Sequence, residues 1–507
     1  MTKSKINFYH DLLKNNKTSS KKFIINPGDQ LQFDEIWEKV NINASFLKTR
    51  LPEKQLIGLL AKNSSYFVIQ YLSIISSGHV VVLLDAQLKP IEHKNNITSN
   101  NVNVVIAHQS YSSELKKALG PNSNIQVITK FCDLITETRS SFSSKTFSKF
   151  DVPDNLAVIV FTSGSTGNRK GVMLTHKNLI SNTNSIIEYL SLTSSDRMNV
   201  TLPFTYTYGL SLLHTHLKVG ASIYLHSSSF LGTLISEIED YGCTGLAGVP
   251  ITFQVLLNRT TFLKKKFSTL KYVTQAGGKL ADKYIHLIAT KKPDIKFFVM
   301  YGATEATSRL TFLSPDDLIK NIGSIGKAIP GVNIELLDEN GMQIKPGDTG
   351  EIVASGDNIM AGYLNNRKET LKVLKKGKLY TGDLAVMNKE GFIFIVGRKS
   401  RFVKSMGYKV WLDGVEQTLL KVKQVLNVCA FGINNPLIGE TVAAVVEAAQ
   451  NVDKVELKKN LYNHCNTELA SYEIPYEIKF IKSMPLKSSG KIDMEKLKMT
   501  FNSDSSL

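Results

Sequence analysis

The run TSGSTGNRKG at residues 162–171 sets three glycines, Gly164, Gly167 and Gly171, among hydroxyl side chains and a basic end. Glycine permits positive φ and close backbone approach, so N–H groups in such a loop can turn toward an anion. Thr162, Ser163, Ser165 and Thr166 add hydroxyl donors, and Lys170 adds positive charge. Together they suit a loop that wraps phosphate. A Walker A loop is excluded, because five residues on from Gly164 stands Arg169, where that motif requires a second glycine. The preceding run LAVIVF, residues 156–161, has the length and β-branched content of a buried strand. The loop is therefore expected at a strand's carboxyl end, where open α/β sheets place their ligands.

Further segments follow in order: LPFTYTYG at 202–209, YGATEA at 301–306, GEIVASG at 350–356, YTGD at 380–383, GRKSRFVKSMGYKV at 397–410 and PLKSSGKID at 485–493. With the loop they resemble the adenylate-forming superfamily of acyl- and aryl-CoA synthetases, peptide-synthetase adenylation domains and beetle luciferases. The resemblance runs from about residue 56 to residue 493. It implies that a carboxylate attacks the α-phosphorus of ATP, pyrophosphate leaves, and a thiol then attacks the acyl-adenylate.

Carried over residue by residue, the resemblance assigns the β- and γ-phosphates of ATP to the loop from Thr162 through Ser163, Gly164, Ser165, Thr166 and Gly167 to Lys170. Gly277, Gly278 and Gly302 fall with the nucleotide contacts. Thr304 would bond the α-phosphate, and Glu305 would ligate Mg²⁺, a hard cation that prefers oxygen. Tyr301 would offer an aromatic face to adenine. Asp383 would accept from both ribose hydroxyls, since a carboxylate has two oxygens and no donor, and Arg398 would add a ribose or phosphate contact. Lys491, in the SSGK loop, would stabilise charge at the reacting carboxylate and α-phosphate. Rotation of the smaller domain would then replace Lys491 by the segment around Lys404 and Gly407, for the thiol step.

The acyl pocket implied by the resemblance is lined by residues 206–211, 249–254, 275–279 and 300–303, with Tyr206, Gly209 and Ala303 at its gate or wall. Tyr206 stands where histidine is common in the family. Residues 205–208 offer no aspartate for an α-ammonium group, which disfavours an α-amino acid and favours an uncharged acyl or aryl chain. Other departures are Arg169 for the proline before the loop lysine, Ser400 for the hinge Asp or Lys, and Leu412 and Gly414 for proline and glutamate. The expected function is an ATP-dependent carboxylate:CoA ligase. Loading of a carrier-protein phosphopantetheine is the alternative acceptor reaction, and a catalytically silent basic binding protein is the alternative class.

These residues need a scaffold. Segments 55–61, 66–77 and 79–86 read as strand, helix, strand, a parallel α/β unit, and similar alternation continues through 157–200 and 246–301. The expected fold is thus α/β, with layered subdomains over the first 320 or so residues. Short strand-like runs with Asn340-Gly341 and Pro346-Gly347 turns predict a small β-rich, barrel-like subdomain at about 323–396. Residues 1–397 are read as the adenylation domain and 398–507 as a mobile α+β domain carrying Lys491, with GRKS as the hinge.

Composition fits this. The chain has 507 residues, 42% of them hydrophobic, too long for one core. No run approaches the ~18 apolar residues of a membrane span, and the start lacks a signal-peptide core, so a cytoplasmic location is expected. Four scattered cysteines, Cys132, Cys243, Cys429 and Cys465, form no CxxC and predict reduced thiols without zinc. The net charge of +17 reads as a solubilising surface that also attracts ATP, CoA or an acidic carrier protein. No nucleic-acid-binding motif accompanies the charge, so no nucleic-acid partner is expected.

Overall fold

The structure, a computed structural model, describes residues 7–130, 153–162, 169–228, 230–405, 408–435, 439–487 and 490–503. Ser163, Gly164, Ser165, Thr166, Gly167, Gly407 and Cys132, to which expectations were attached, lie outside the described residues. The fold is α/β, with a large N-terminal domain and a smaller C-terminal one.

The first α/β unit forms from strand Leu56–Leu60, helix Ser65–Ser76 and strand Val80–Leu84, with Ile57 opposite Val81 in parallel register. Both strands are buried at every position, which explains runs that are apolar throughout rather than alternating. Ser64 caps the helix by accepting from the Phe67 N–H at 3.2 Å. Around this unit a seven-stranded sheet takes the order Gly362–Tyr363, Gly171–Thr175, Leu156–Phe161, Val80–Leu84, Leu56–Leu60, Val104–Ala107, Gln126–Ile128.

Leu156–Phe161 is a fully buried strand as expected, and Gly171–Thr175, beyond the expected phosphate loop, pairs antiparallel with it, with Phe161 opposite Gly171. The run GVMLT is buried throughout and carries Val172, Met173 and Leu174 at its centre, so it pairs as a strand before helix His176–Leu190 begins.

A nine-stranded sheet carries the second half of the large domain. Its centre is parallel, Lys296–Tyr301, Tyr272–Gln275, Gly245–Gly248, Arg197–Val200 and Ser222–Leu225, and Thr311–Leu313 joins antiparallel beside Tyr301. Phe67, Phe204, Leu213 and Val160 belong to one apolar cluster that spans both sheets. The antiparallel sheet Val332–Leu337, Thr349–Gly356, Lys378–Met387 and Ile393–Arg398 falls within the expected β-rich stretch. Two short strands of that stretch go elsewhere: Lys327–Ala328 to the nine-stranded sheet and Gly362–Tyr363 to the seven-stranded one.

After Arg398 a hairpin, Phe402–Ser405 with Tyr408–Trp411, precedes helix Leu412–Leu420 and the sheet Val425–Asn435, Gly439–Ala448, Glu477–Ile481. This part has its own core, including Val403, Val415, Leu457 and Ile478. Among the described residues no helix is long and apolar enough to cross a membrane.

Gly209 shows how tightly the site-bearing segments pack. It lies in helix Thr207–Val219, and a Cβ there would sit 2.1 Å from the Pro203 carbonyl oxygen. Gly209→Ala should therefore cost about 1–3 kcal/mol, as other overpacked positions do, and lower the melting temperature. Gly414→Ala, in a helix with nothing within 4 Å of the added atom, should leave it unchanged or slightly raised.

Candidate active site

Strand Lys296–Tyr301 ends at the segment YGATEA, to which the expected chemistry is assigned. Gly302 follows, and a Cβ there would lie 1.8 Å from the Ser308 carbonyl oxygen, so only glycine lets the chain fold back on itself. Ala303 then precedes a single 3₁₀ turn, Thr304–Ala306, which places Thr304 and Glu305 side by side beyond the sheet's edge. All five residues from Tyr301 to Glu305 are half-buried, as the lining of a recess would be.

Two phenols fix the carboxylates of this recess. Tyr301 donates from its hydroxyl to Asp383 Oδ2 at 2.5 Å, and Tyr363 donates to Glu305 Oε1 at 2.7 Å. Burial pushes the Tyr301 phenol well above its ordinary range, and the adjacent Asp383 charge adds to that, so Tyr301 remains a donor. Asp383 stands opposite Arg398 in the register of strands Lys378–Met387 and Ile393–Arg398, with Arg398 Nε 3.4 Å from Oδ1. Desolvation raises the Asp383 carboxyl, while Arg398, the Tyr301 hydrogen bond and Lys491 oppose the rise.

Lys491 is brought to the same place. Its side chain retains solvent-exposed surface, yet protein crowds round it, and this desolvation lowers its pKa below the ordinary lysine value. Arg398 lowers it further, whereas Glu305 and Asp383 pull it back up. The loop is seated by Gly490 at φ +76°, where a Cβ would come within 2.7 Å of the Val249 side chain. Val249 also lies 3.1 Å from the Cβ position of Gly277, whose φ is +88°, and the neighbouring Gly278 faces Pro250. Gly277, Gly278, Gly490 and Lys491 are thus joined through one valine and its neighbour.

At the phosphate loop, the described ends are held by the Thr162 N–H donating to the Lys170 carbonyl at 3.0 Å. Lys170 Nζ pairs with Glu369 Oε2 at 2.5 Å and lies 5.0 Å from the centre of the Tyr363 ring. Hydrogen bonds from Lys170, then Lys372, hold the Glu369 carboxyl down at about 2. Tyr206 donates to Asp85 Oδ2 at 2.8 Å, beside Arg169. Lys404 is exposed on strand Phe402–Ser405, its N–H donating to Glu440, and takes no part in the contacts round Glu305 and Asp383 among the described residues.

At the junction, Lys399 Nζ binds Glu351 Oε2 at 2.7 Å, and Arg401 is paired to both Asp413 and Glu416. The side chains that sequence reading missed are Tyr363, Glu369, Asp85 and Arg401. They are partners of motif residues or of the hinge; Arg401 lies within segment 397–410, whereas nothing in the chain around the other three marks them.

Family models match most of the chain. The AMP-binding enzyme family matches residues 13–364, and the AMP-binding enzyme C-terminal domain matches residues 414–491. The chain belongs to the AMP-binding enzymes, the adenylate-forming superfamily. It is 28% identical to the 2-succinylbenzoate–CoA ligase of Bacillus pumilus, over 92% of each chain. It is 25% identical to the long-chain-fatty-acid–CoA ligase of Escherichia coli O6:H1, over 92% of this chain and 90% of that one. The solved anthranilate CoA ligase AuaEII, in complex with anthranoyl-AMP, superposes with a TM-score of 0.85 at 22% identity, covering 97% of both chains.

If Lys170 meets the outer phosphates of ATP as expected, Glu369 already occupies its ammonium group. Glu369→Gln should lower the KM for ATP by a few-fold, because a partly exposed pair is worth about 0.2–1 kcal/mol, with kcat little changed. Steady-state kinetics with varied ATP would check this; a raised KM would mean that Glu369 orients Lys170 for the nucleotide.

Proposed function

We propose that the protein is an AMP- and diphosphate-forming carboxylate:CoA ligase that activates an acid with ATP and transfers the acyl group to the thiol of coenzyme A. The observation that carries this reading is the Arg398–Asp383 pair next to Tyr301, with Lys491 near enough for its charge to act on Glu305 and Asp383. In-line displacement at phosphorus leaves little covalent work to a protein, so cations and donors placed where charge accumulates supply most of the catalysis.

Each residue then has a task. Asp383, held by Tyr301 on one oxygen, keeps acceptor capacity for ribose hydroxyls. Thr304 offers a hydroxyl to the α-phosphate from the 3₁₀ turn. Glu305 presents a carboxylate to the phosphates, and Tyr363 fixes its orientation from behind. That single carboxylate suits Mg²⁺, which is commonly held by one or two protein oxygens plus phosphate and water. When bound, the ion would neutralise phosphate charge. Lys170 and the loop it closes would hold the outer phosphates. Lys491 would stabilise the charge that develops between the acid and the α-phosphate.

For the thiol step, residues 398–507 would turn about 397–400, withdrawing Lys491 and presenting the segment around Lys404 and Gly407. The polar contacts at the junction favour such a movement, since water can replace them. Among these are Gln254 Nε2 to Asn427 Oδ1 at 2.7 Å and Lys283 Nζ to the Val422 carbonyl at 3.4 Å.

Lys491→Ala should slow adenylation by about 10²–10³-fold while ATP binding persists, and discharge of preformed acyl-adenylate onto CoA should suffer far less. Pyrophosphate exchange and thioester formation, measured separately, test this; equal losses would remove Lys491 from its assigned step. The cation is the active form, and its pKa lies below 10.5, so wild-type adenylation should fall as pH rises through that lowered value. If acyl-AMP accumulates with CoA present and discharges only onto a phosphopantetheinylated protein, the acceptor is a carrier protein.

A further inference from the structure

Arg309 is 2% exposed, yet among the described residues no carboxylate lies within ion-pair distance of it. The contrast with Arg401 is direct, because that arginine is satisfied by Asp413 and Glu416. The partners of Arg309 are weak or neutral. Its Nε points to the thioether sulfur of Met300 at 3.3 Å, its Nη1 takes the Ser308 hydroxyl at 2.6 Å, and its guanidinium lies 4.0 Å from the centre of the Tyr208 ring. Sulfur is a poor acceptor, and the Tyr189 hydroxyl that also interacts with the guanidinium carries no charge. A guanidinium stays charged at any working pH, so a buried one without a counter-ion is costly to keep.

The position of Arg309 ties it to the reacting centre. The Cβ position of Gly302 is 2.9 Å from Arg309 Cα, and the Leu310 N–H donates to the Tyr301 carbonyl at 2.9 Å. Arg309 therefore backs directly onto the segment that leads to Thr304 and Glu305. Its own carbonyl is fixed by the side-chain amides of Asn182 at 3.3 Å and Asn358 at 3.0 Å. Tyr208, which the guanidinium covers, belongs to the expected acyl-pocket wall and is itself anchored through its hydroxyl to the Thr274 carbonyl at 2.9 Å. The side chain is thus held on three sides, with its charge unanswered.

We propose that Arg309 receives a second carboxylate of the acyl substrate, so that the preferred acid is a short dicarboxylic acid activated at one end. This deepens the ligase reading and rests on it. The chain between the two carboxylates is short because Arg309 and the adenylation residues share one fold-back of the backbone. The uncharged acyl or aryl chain expected from residues 205–208 gives way to this chemistry; the exclusion of an α-ammonium group stands, since a buried cation repels it.

The test compares straight-chain monocarboxylic acids, dicarboxylic acids of matched length and the monomethyl esters of those diacids, in wild type, Arg309→Lys and Arg309→Gln. Two readouts are taken: pyrophosphate exchange, and the melting temperature with each acid in the absence of ATP. In wild type, kcat/KM should favour the diacid over its monoester by about 10²-fold, the scale of losing one partner of a buried charge pair. Arg309→Gln should abolish that preference while retaining exchange with the monocarboxylic acids, and Arg309→Lys should keep part of it. The wild-type diacid and monoester comparison needs no variant to fold. A wild type that prefers the monoester or the monocarboxylic acid overturns the proposal, as does an Arg309→Gln enzyme slowed equally on all acids. If no acid supports exchange, the ligase reading fails, and the melting temperature decides on Arg309 alone. A rise with diacids that Arg309→Gln lacks supports the proposal; no rise in wild type overturns it.

Discussion

The hydrogen bond from Tyr301 to Asp383 ties two sheets together at the recess, as the backbone bridge between Gly326 and Ile393 does elsewhere along their junction. Tyr301 ends a central strand of the nine-stranded sheet, and Asp383 sits in the antiparallel sheet of the β-rich region. A charged acceptor makes this bond stronger than a neutral one, and it fixes the distance between Tyr301 and Asp383, the residues expected to meet adenine and ribose. Everything else in the recess is arranged from that link. Arg398 is set opposite Asp383 by strand register, and the 3₁₀ turn carrying Glu305 starts three residues beyond Tyr301. The sheet junction is therefore where the geometry of the site is decided, while the loops contribute the groups that meet a ligand.

The C-terminal part is held by a different kind of contact. Its core closes on itself, with Val403, Val415, Leu457 and Ile478 packed among its own elements. Toward the large domain it makes hydrogen bonds and ion pairs, Asn427 with Gln254, Glu447 with Arg259 at 3.8 Å and backbone carbonyls with Lys283, and apolar contact as well, Leu420 packing on the core around Phe253 and Ile285. Water can take over the polar part of such a junction on parting. At this junction burial lowers Lys283 to about 8.

Strands that are buried on both faces were legible in the sequence, because an unbroken apolar run such as residues 156–161 has few alternatives to a central strand. What could not be read was where short strands go. Lys22–Asn26 pairs with Ser222–Leu225 across about two hundred residues, and Gly362–Tyr363 leaves its neighbours for the seven-stranded sheet. Such pairings depend on tertiary packing, which two to five residues cannot encode by periodicity. The site divided in the same way. Tyr301, Glu305, Asp383 and Lys491 lie in short motifs that announce them. Tyr363, Glu369 and Arg309 do not, because their significance is a partner supplied, or withheld, by a distant segment.

The charges in the recess also suggest why one site can serve two steps. Lys491 enters at a desolvation cost and beside a like charge, Arg398, while Glu305 and Asp383 offset only part of it. On the ligase reading, the triphosphate of ATP supplies the remaining negative charge, so the docked position of Lys491 is favoured most before pyrophosphate leaves. Once it has left, the site holds the same cations and fewer anions. The balance then shifts against keeping an ammonium group there, and the polar junction around Lys399 and Glu351 is easily rehydrated. Electrostatics would thereby couple the progress of the first reaction to the departure of the domain that catalysed it.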